Sequence, residues 1–431
     1  MIREDFLHYI WKLKKFDFLN LLTSEGQTIQ ILDTGFHNTH AGPDFLQAHI
    51  IIGDILWVGS VEIHVKSSDW YKHHHQDDSA YNNVILHVVL EDDMVIIDSF
   101  GLKIPCLELK KKIFAGDVRN YHLLQHENLW IPCAPQTDDI PQIIVYQAIE
   151  KATLNRIIRK SEHIIFLLNR YDDNWEQVFL ILLFRYFGTN VNNDAFEMLA
   201  KSFDPLIILR EKDRPQFIEA LLFGQSGLLN ENFRDEYPVN LLKNHRFLQK
   251  KYGLKPIPVA AWKLLRLRPD NFPTIRIAQL AAVLSTEVSF FSKIIHANHP
   301  EDVFTLFLAK PADYWINHYL FERKSKPKIK ITGKEFIQIL IINVIVPLKY
   351  VYGEKTDSLP MKQSAIQLLE QIRAENNQII KNWKILKIRA KNAFESQGLI
   401  ELKNNYCSRK KCLECPIGHH LMKRPVKTIQ V

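Results

Sequence analysis

The sequence lacks several signatures of common enzyme sites and of membrane proteins. It has no Walker-type glycine-rich loop, no Gly-x-Gly-x-x-Gly after a strand and no Gly-x-Ser-x-Gly elbow, so nucleotide-driven and acyl-transfer chemistry have no support. The longest apolar run, 336–348, is shorter than the roughly 20 residues that a membrane-spanning helix needs. Residues 1–15 do not resemble a secretory signal. We therefore expect a soluble, cytoplasmic protein with no membrane contact.

Cysteine is also scarce, with five in 431 residues. Three of them, Cys407, Cys412 and Cys415, lie within nine positions, which indicates metal ligation in a reducing compartment rather than a disulfide framework. The chain is long enough for two or three folded domains. Its formal net charge of +7 fits a polyanionic partner, and lysines that merely solvate helix faces explain that charge equally well.

Hydrophobic periodicity divides the chain into a strand-rich part and a helical part. Alternating β-branched runs predict strands at 28–32, 46–52, 55–66, 84–90 and 94–98. A helix around Phe6 and Ile10 precedes them, and the pair Gly53-Asp54 predicts a hairpin between the second and third strands. From about residue 140 the period becomes 3.6, which predicts helices at 142–170, 175–187, 195–203, 215–222, 336–352 and 361–397.

These patterns predict an α/β N-terminal domain with a mixed sheet, an all-α domain and a small metal-binding tail. We place the three segments at residues 1–135, 136–400 and 401–431. Within the helical part, the stretch 262–276 interleaves Arg266, Arg268 and Arg276 with apolar residues. Such a stretch is compatible with a nucleic-acid-binding surface and equally with an amphipathic helix that ends at Pro269.

Three ionisable residues share one face of the third predicted strand. Side chains alternate along a strand, so Glu62, His64 and Lys66 point the same way. In an arbitrary strand, such a face is more often simply solvated. Here the predicted hairpin brings Asp44, at the start of the preceding strand, beside Glu62 or His64, which predicts a cluster.

Pro43-Asp44 followed by Glu62-x-His64-x-Lys66 resembles the PD-(D/E)XK nuclease superfamily. The resemblance implies a restriction-endonuclease-like fold, Asp44 and Glu62 as ligands of a catalytic Mg²⁺ or Mn²⁺, and Lys66 as an electrostatic catalyst. The family pattern is acid-x-Lys, whereas His64 here stands between Glu62 and Lys66, so we assign His64 as ligand or base. The blocks 42–45 and 61–70 also resemble an uncharacterised bacterial family of unknown function.

Three hypotheses about function follow. The first is a metal-dependent phosphodiesterase that acts on DNA or RNA. The second is a catalytically inactive nuclease fold that serves as a nucleic-acid- or ribosome-binding module, which the departure at His64 favours. The third is a histidine-based metallohydrolase with a small substrate, since imidazole suits transition metals better than Mg²⁺.

The third hypothesis depends on histidines that are dense around the strand. These residues, together with two acidic neighbours, are His37, His40, His49, His73, His74, His75, His87, Asp77 and Asp78. We predict that the run 73–75 is a surface loop with at most one histidine facing the cleft. His37 and His40, just before Asp44, are the better candidates to line the site.

The tail carries a second candidate site. The spacing Cys407-x4-Cys412-x2-Cys415 allows three thiolates to converge on one ion, and His419, His420 or Cys133 remain open as the fourth ligand. The stretch also resembles the cysteine loop of endonuclease III-type DNA glycosylases, which implies an iron–sulfur cluster, but its first spacing is two residues short and position 421 is leucine. We expect a structural Zn²⁺, with the iron–sulfur cluster or thiols that bind no metal as the alternatives.

Overall fold

A computed structural model describes residues 2–125, 129–229, 232–265, 267–286 and 290–424. The chain divides into two units: the first comprises Met1–Ala148 and Leu402–Val431, and the second comprises Ile149–Glu401. The C-terminal tail, which the sequence pattern sets apart as a separate segment, therefore belongs to the first unit.

A mixed sheet forms the centre of the first unit. Its strands within the described residues are β1 (Leu21–Leu22), β2 (Thr28–Asp33), β3 (Phe36–His37), β4 (Phe45–Ile52), β5 (Ile55–Lys66), β6 (Val84–Glu91) and β7 (Cys106–Glu108). Their order is β1-β2-β4-β5-β6-β7, with β3 also paired to β4. Strands β4 and β5 form an antiparallel hairpin at Gly53, whose φ of 62° suits glycine. Strands β5, β6 and β7 run parallel.

Short helices complete this unit. Helix α1 (Glu4–Lys12) packs against β5. This packing fully buries its apolar side chains, including Phe6, Ile10 and Trp11. The parallel crossover from β5 to β6 contains α2 (Asp69–Lys72) and two 3₁₀ turns, His75–Asp77 and Ser79–Tyr81. Helix α3 (Ala115–Leu123) follows the sheet. The crossover thus carries the histidine run to the region where β5 ends.

Where the structure describes it, the second unit is helical apart from a small hairpin of β8 (His318–Leu320) and β9 (Arg323–Lys324). The helices that enter or build it are α4 (Gln142–Arg170), α5 (Trp175–Phe187), α6 (Thr189–Lys201), α7 (Leu206–Arg210), α8 (Pro215–Gln225), α9 (Glu236–Tyr252), α10 (Pro273–Thr286), α11 (Phe290–His296), α12 (Pro300–Phe307), α13 (Lys334–Leu340), α14 (Val346–Lys355), α15 (Leu359–Gln371), α16 (Gln378–Ile385) and α17 (Ala393–Glu401). They enclose one continuous apolar core that includes Phe179, Phe187 and Leu280.

The tail returns to the first unit through a π-helical segment, Leu402–Cys407, and a 3₁₀ turn, Cys412–Glu414. It ends in α18 (Pro416–Met422), which packs on α3. The carbonyls of Met422 and Arg424 accept hydrogen bonds from the Asn120 side chain. These contacts hold the tail against α3.

One helical run is long and apolar enough to span a membrane. It extends over Lys334–Lys355, because a π-helical segment, Ile341–Ile345, joins α13 to α14. The apolar run 336–348 in the sequence is therefore shorter than the helix that contains it. Most of its apolar window is buried in the protein interior, as expected for the core helix of a folded domain.

The structure confirms the hairpin, the strand at 55–66 and the helices at 142–170 and 175–187. The predicted strand at 94–98 is wrong: it makes only an isolated bridge, Ile97 with Lys103, while Ile96 packs on Trp70. The stretch 361–397 is three helices, not one, and Arg373 bridges to Asn392 between them. No helix ends at Pro269 among the described residues, and Arg266 lies outside them.

Candidate functional site

The β4–β5 hairpin brings Asp44 and Glu62 side by side. The backbone N–H of Asp44 donates to Oε2 of Glu62 over 3.0 Å, and the backbone N–H of Ile63 donates to Oδ2 of Asp44 over 3.0 Å. Each carboxylate therefore accepts a hydrogen bond from the opposite side of the hairpin: Glu62 accepts from Asp44 itself, and Asp44 accepts from the residue after Glu62. The predicted meeting of these two residues is confirmed.

The parallel pairing of β5 with β6 adds histidines to the same sheet face. His87 lies opposite Glu62 in the register, and His64 lies two residues further along β5. Nδ1 of His64 is 2.8 Å from Nε2 of His87, and Nε2 of His64 is 3.5 Å from Oε1 of Glu62. All three side chains are buried.

Two residues of the crossover histidine run reach this cluster. His74 adopts the left-handed conformation with φ 59°, and the residues on either side of it both turn to the sheet. Nδ1 of His73 is 3.1 Å from Nε2 of His64, and Nε2 of His75 is 3.3 Å from Oε1 of Glu62. The ligand nitrogens of His64, His73 and His75 all lie within 4.8 Å of one another. The expectation that at most one histidine of this run faces the cleft is therefore wrong.

Aromatic side chains fix the orientation of these rings. Tyr81 stacks on His75 with ring centroids 3.8 Å apart and an interplanar angle of 21°. Trp70, which is buried, makes edge contacts with His75 and His87 at 5.4 and 5.5 Å. The side chains that converge on Glu62 are therefore preorganised by packing, as a binding site requires.

A further residue, His8, comes from helix α1, and the sequence analysis did not single it out. Its Nε2 lies 3.1 Å from Oδ2 of Asp44. Burial lowers the pKa of His8, but the hydrogen bond and charge of Asp44, together with Glu4, raise it more, so the net pKa is raised. Glu4 and His8 are four residues apart on α1 and therefore lie on the same face of the helix.

Burial sets the charge of the central histidines. It lowers the pKa of His64 to about 2, assisted by the neighbouring His87, His75 and His73, and it lowers the pKa of His87 to about 4. Both rings are therefore neutral at neutral pH. Burial raises the pKa of Glu62, the charge of Asp44 adds to this effect, and His75 opposes it. A neutral imidazole is the form that binds a metal ion.

The donor set fits a transition metal better than Mg²⁺. Nε2 of His75 is shielded from solvent, lies 3.3 Å from Oε1 of Glu62 and has no aligned hydrogen-bond partner, so it is available as a ligand atom within the cluster. Imidazoles with adjacent carboxylates suit Zn²⁺, Mn²⁺ or Fe²⁺, whereas Mg²⁺ prefers oxygen ligands and retains water. His64, His73 and His75, next to Glu62, would hold such an ion.

Other predicted site residues have different surroundings. Nζ of Lys66 lies 3.7 Å from Oδ2 of Asp93. His37 is exposed at the rim, with its ring 5.5 Å from that of His8. His40 is exposed, and its backbone N–H donates to the Asn38 side chain within its own loop.

The remaining candidates have local roles or lie elsewhere on the sheet. His49 pairs with Val58 further along the hairpin. Oδ2 of Asp77 lies 3.8 Å from the exposed His74, and Asp78 accepts a hydrogen bond from the backbone of Ala80. These contacts are separate from the contacts that join His64, His75 and Glu62.

The second unit contains two adjoining clefts with basic residues. One, of about 540 Å³, is lined by Arg185, Arg268 and asparagine side chains. The other, of about 350 Å³, shares Arg268 and also contains Arg276, Lys328 and Lys330. Part of this charge is neutralised, since Arg185 pairs with Asp194 at 2.9 Å and Lys328 pairs with Asp270 at 2.6 Å.

The sheet and the cluster on it define the class of this protein: a mixed-sheet unit that carries a partly buried histidine–carboxylate cluster, joined in one chain to a helical unit. The chain belongs to the family described as DUF2851, a protein of unknown function, whose model matches residues 4–378. The predicted membership in an uncharacterised family is thereby confirmed. Neither the curated proteins nor the solved structures include a significant match.

Proposed function

We propose that the chain is a metal-dependent phosphodiesterase that cleaves DNA or RNA at the histidine–carboxylate cluster. The observation that carries this proposal is the convergence of three histidine nitrogens within 4.8 Å, beside the paired carboxylates Asp44 and Glu62. This arrangement supports Mn²⁺ over Mg²⁺ as the ion. A divalent ion bound there would lower the pKa of a bound water and offset negative charge on the phosphate.

The protein side chains then have distinct tasks. Glu62, which accepts a hydrogen bond from the backbone of Asp44, would provide negative charge beside the ion. His73 is exposed and lies where the site opens to solvent. Nε2 of His8 lies 3.1 Å from Oδ2 of Asp44. Burial lowers the pKa of this imidazole, but the Asp44 carboxylate raises it more. In the proposed reaction, the protonated form of His8 would supply a proton to a leaving oxygen bound beside Asp44.

The resemblance to the PD-(D/E)XK superfamily, with its restriction-endonuclease-like sheet, is part of this proposal. Its support is the hairpin that joins Asp44 to Glu62 and places Lys66 on the same strand. The electrostatic role of Lys66 requires its ammonium to leave Asp93 and approach a bound phosphate, since four residues of strand separate it from Glu62 by about 13 Å. The basic clefts of the second unit support a polyanionic substrate.

The ion pair between Lys66 and Asp93 favours one alternative. If that pair persists with substrate present, the acid-x-Lys arrangement is not assembled. The chain would then be a nucleic-acid- or ribosome-binding module built on the same fold. This alternative differs from the first proposal in predicting retention of RNA or DNA without cleavage.

The test is cleavage of a mixed panel of single- and double-stranded DNA and RNA by the full chain, with Mn²⁺, Zn²⁺, Fe²⁺ or Mg²⁺ added in turn. We expect cleavage with Mn²⁺, and we expect Glu62→Gln and His73→Ala to abolish it. Absence of cleavage with every ion, combined with retention of nucleic acid in a gel shift, would overturn the enzyme assignment in favour of the binding module.

A matched control lies inside the histidine run itself. His74 is exposed, and its side chain faces Asp77 instead of the cluster. His74→Asn preserves a residue type that tolerates the left-handed conformation, so the backbone that positions its neighbours is retained. Cleavage and Mn²⁺ affinity should be unchanged in this variant. Equal losses in His74→Asn and His73→Ala would show that the loop fold, not the imidazole of His73, is what matters.

A further inference from the structure

The tail and the end of the sheet unit bring four cysteines together. Cys133, Cys412 and Cys415 are buried, and none of the five cysteines forms a disulfide. Burial raises the pKa of Cys407, and the nearby Cys133, Cys415 and Cys412 raise it further, in that order. This mutual influence requires the four sulfurs to be neighbours, although 273 positions separate Cys133 from Cys407.

The backbone around these thiols is folded into tight turns. The N–H of Lys411 donates to the Tyr406 carbonyl over 2.9 Å, which closes the turn between Cys407 and Cys412. The N–H of Cys415 donates to the Cys412 carbonyl over 3.1 Å. Cys133 immediately precedes the 3₁₀ turn Ala134–Asp139. Each cysteine therefore lies at a turn, where a side chain can be directed to a common centre.

The fourth position belongs to Cys133 rather than to His419. Nε2 of His419 is engaged with the Leu413 carbonyl, and its ring makes an edge contact with Tyr9 at 5.4 Å. Burial raises the pKa of Cys133 to about 12, and Cys415 is the neighbouring charge that raises it further. Four thiols packed this way are costly to ionise unless a metal stabilises the thiolates.

The spacing of the sulfurs distinguishes a single ion from a cluster. Around one tetrahedral Zn²⁺, four sulfurs at about 2.3 Å from the metal lie about 3.8 Å from one another. Among the described residues, the one group of three His, Cys or acidic ligand atoms that all lie within 4.8 Å is the histidine group, so no three of the four sulfurs are that close. A wider tetrad fits a cluster in which each thiolate binds a different iron.

We propose that Cys133, Cys407, Cys412 and Cys415 hold an iron–sulfur cluster that fastens the C-terminal tail to the sheet unit. This replaces the structural Zn²⁺ expected from the spacing of the tail alone. With all four thiolates bound, the centre has no open position for substrate, so its role is structural or redox-responsive. The family match ends at residue 378, before the three tail cysteines.

The test is analysis of the full chain purified without oxygen. We expect iron and acid-labile sulfide in matching amounts, together with a broad visible absorption that dithionite bleaches. Colourless protein that carries zinc and no iron, or no metal at all, would overturn the proposal. X-ray absorption at the iron edge should show sulfur neighbours and a second iron, a result that does not depend on any variant folding.

The variants separate this centre from the proposed catalytic site. Cys412→Ala and Cys415→Ala should lose the visible absorption, and Cys106→Ala provides the matched control because Cys106 is a buried free thiol on β7, outside the tetrad. Loss of absorption in Cys106→Ala but not in Cys412→Ala would also contradict the assignment. Glu62→Gln should keep the full absorption, so failure of the phosphodiesterase proposal leaves the cluster measurement intact.

Discussion

Nδ1 of His64 and Nε2 of His87 lie 2.8 Å apart at the buried centre of the candidate site. Burial lowers the pKa of both rings, His64 to about 2 and His87 to about 4, so one neutral imidazole donates and the other accepts. If Nε2 of His64 binds the proposed metal ion, its Nδ1 would carry the proton and Nε2 of His87 would accept it. His87 would then be a positioning residue that fixes the tautomer of a metal ligand.

Replacing His87 tests this role. His87→Phe removes the acceptor but preserves an aromatic ring beside Trp70, and we expect a loss of Mn²⁺ affinity of about 10–100-fold, measured by calorimetry. His87→Gln keeps an acceptor and should recover part of that loss. Equal affinity in all three proteins would show that His64 does not bind the metal through Nε2.

Lys66 should influence cleavage without influencing metal binding. Its ammonium lies 3.7 Å from Oδ2 of Asp93, and its backbone is about 13 Å along the strand from Glu62, so Lys66→Met should leave Mn²⁺ affinity unchanged. If it stabilises charge on the reacting phosphate, the cleavage rate should fall by about 100-fold. Lys66→Arg keeps the positive charge and should retain more activity than Lys66→Met.

The opposite pattern would be equally informative. A reduced Mn²⁺ affinity in Lys66→Met would place its ammonium in the metal site. Unchanged cleavage would show that the pair with Asp93 is only a surface contact, which contributes at most about 1 kcal/mol to stability.

The sequence predicts long elements with one clear period better than short or interrupted ones. The strand Ile55–Lys66 and the helix Gln142–Arg170 have the bounds that their patterns predict. The burial of the strand does not alternate as expected, since Ile55–Val58 are exposed and residues 59–64 are all buried. The short strand Cys106–Glu108 was missed because it pairs with β6 through three residues only. The amphipathic pattern of 361–397 gives no sign that the chain leaves the helix near Ile372.

The sequence predicts the part of the site that two neighbouring strands form. It does not predict the part that the crossover between β5 and β6 contributes. Because Asp44 and Glu62 lie on the two arms of one hairpin, the register of that hairpin determines their contact. His73 and His75 converge only because His74 adopts φ 59° and the crossover passes over the sheet. Three consecutive histidines in a sequence predict neither feature. His8 reaches Asp44 through packing of α1 on β5, a long-range contact without a sequence signal of its own.

Lys349 makes stability depend on pH. Its side chain is fully buried, with Nζ bonded to the Ala297 carbonyl and 3.3 Å from Oδ1 of Asn298, and burial lowers its pKa to about 8. Between pH 8 and 10.5 the unfolded chain binds more protons than the folded one, so the contribution of Lys349 to stability rises with pH. The full gain is at most about 3 kcal/mol.

The measurement compares urea unfolding of the unmodified chain and Lys349→Met across this window. The comparison cancels the titration of all other groups that behave alike in both proteins. The difference in unfolding free energy should shift in favour of the unmodified chain as pH rises from 8 to 10.5, and it should be flat below pH 8. A difference that is constant over the whole range would mean that Lys349 is not charged differently in the two states.

Gly418 in α18 should be essential to the geometry of the cysteine centre. A Cβ atom built at Gly418 would lie 1.9 Å from the carbonyl oxygen of Cys412, an atom of the backbone that cannot move without displacing the cysteine itself. Gly418→Ala should therefore lower the iron content although all four thiols remain. The steric conflict should also cost about 1–3 kcal/mol of unfolding free energy.

Gly333 supplies the comparison for this variant, because a Cβ there meets nothing within 4 Å. Gly333→Ala should keep both its iron and its stability. Full iron content in a folded Gly418→Ala would show that Cys412 can be displaced without loss of the cluster, which would contradict its assignment as a ligand. Loss of iron in Gly418→Ala with Mn²⁺ binding at the histidine site retained would place the effect in the tail and leave the sheet intact.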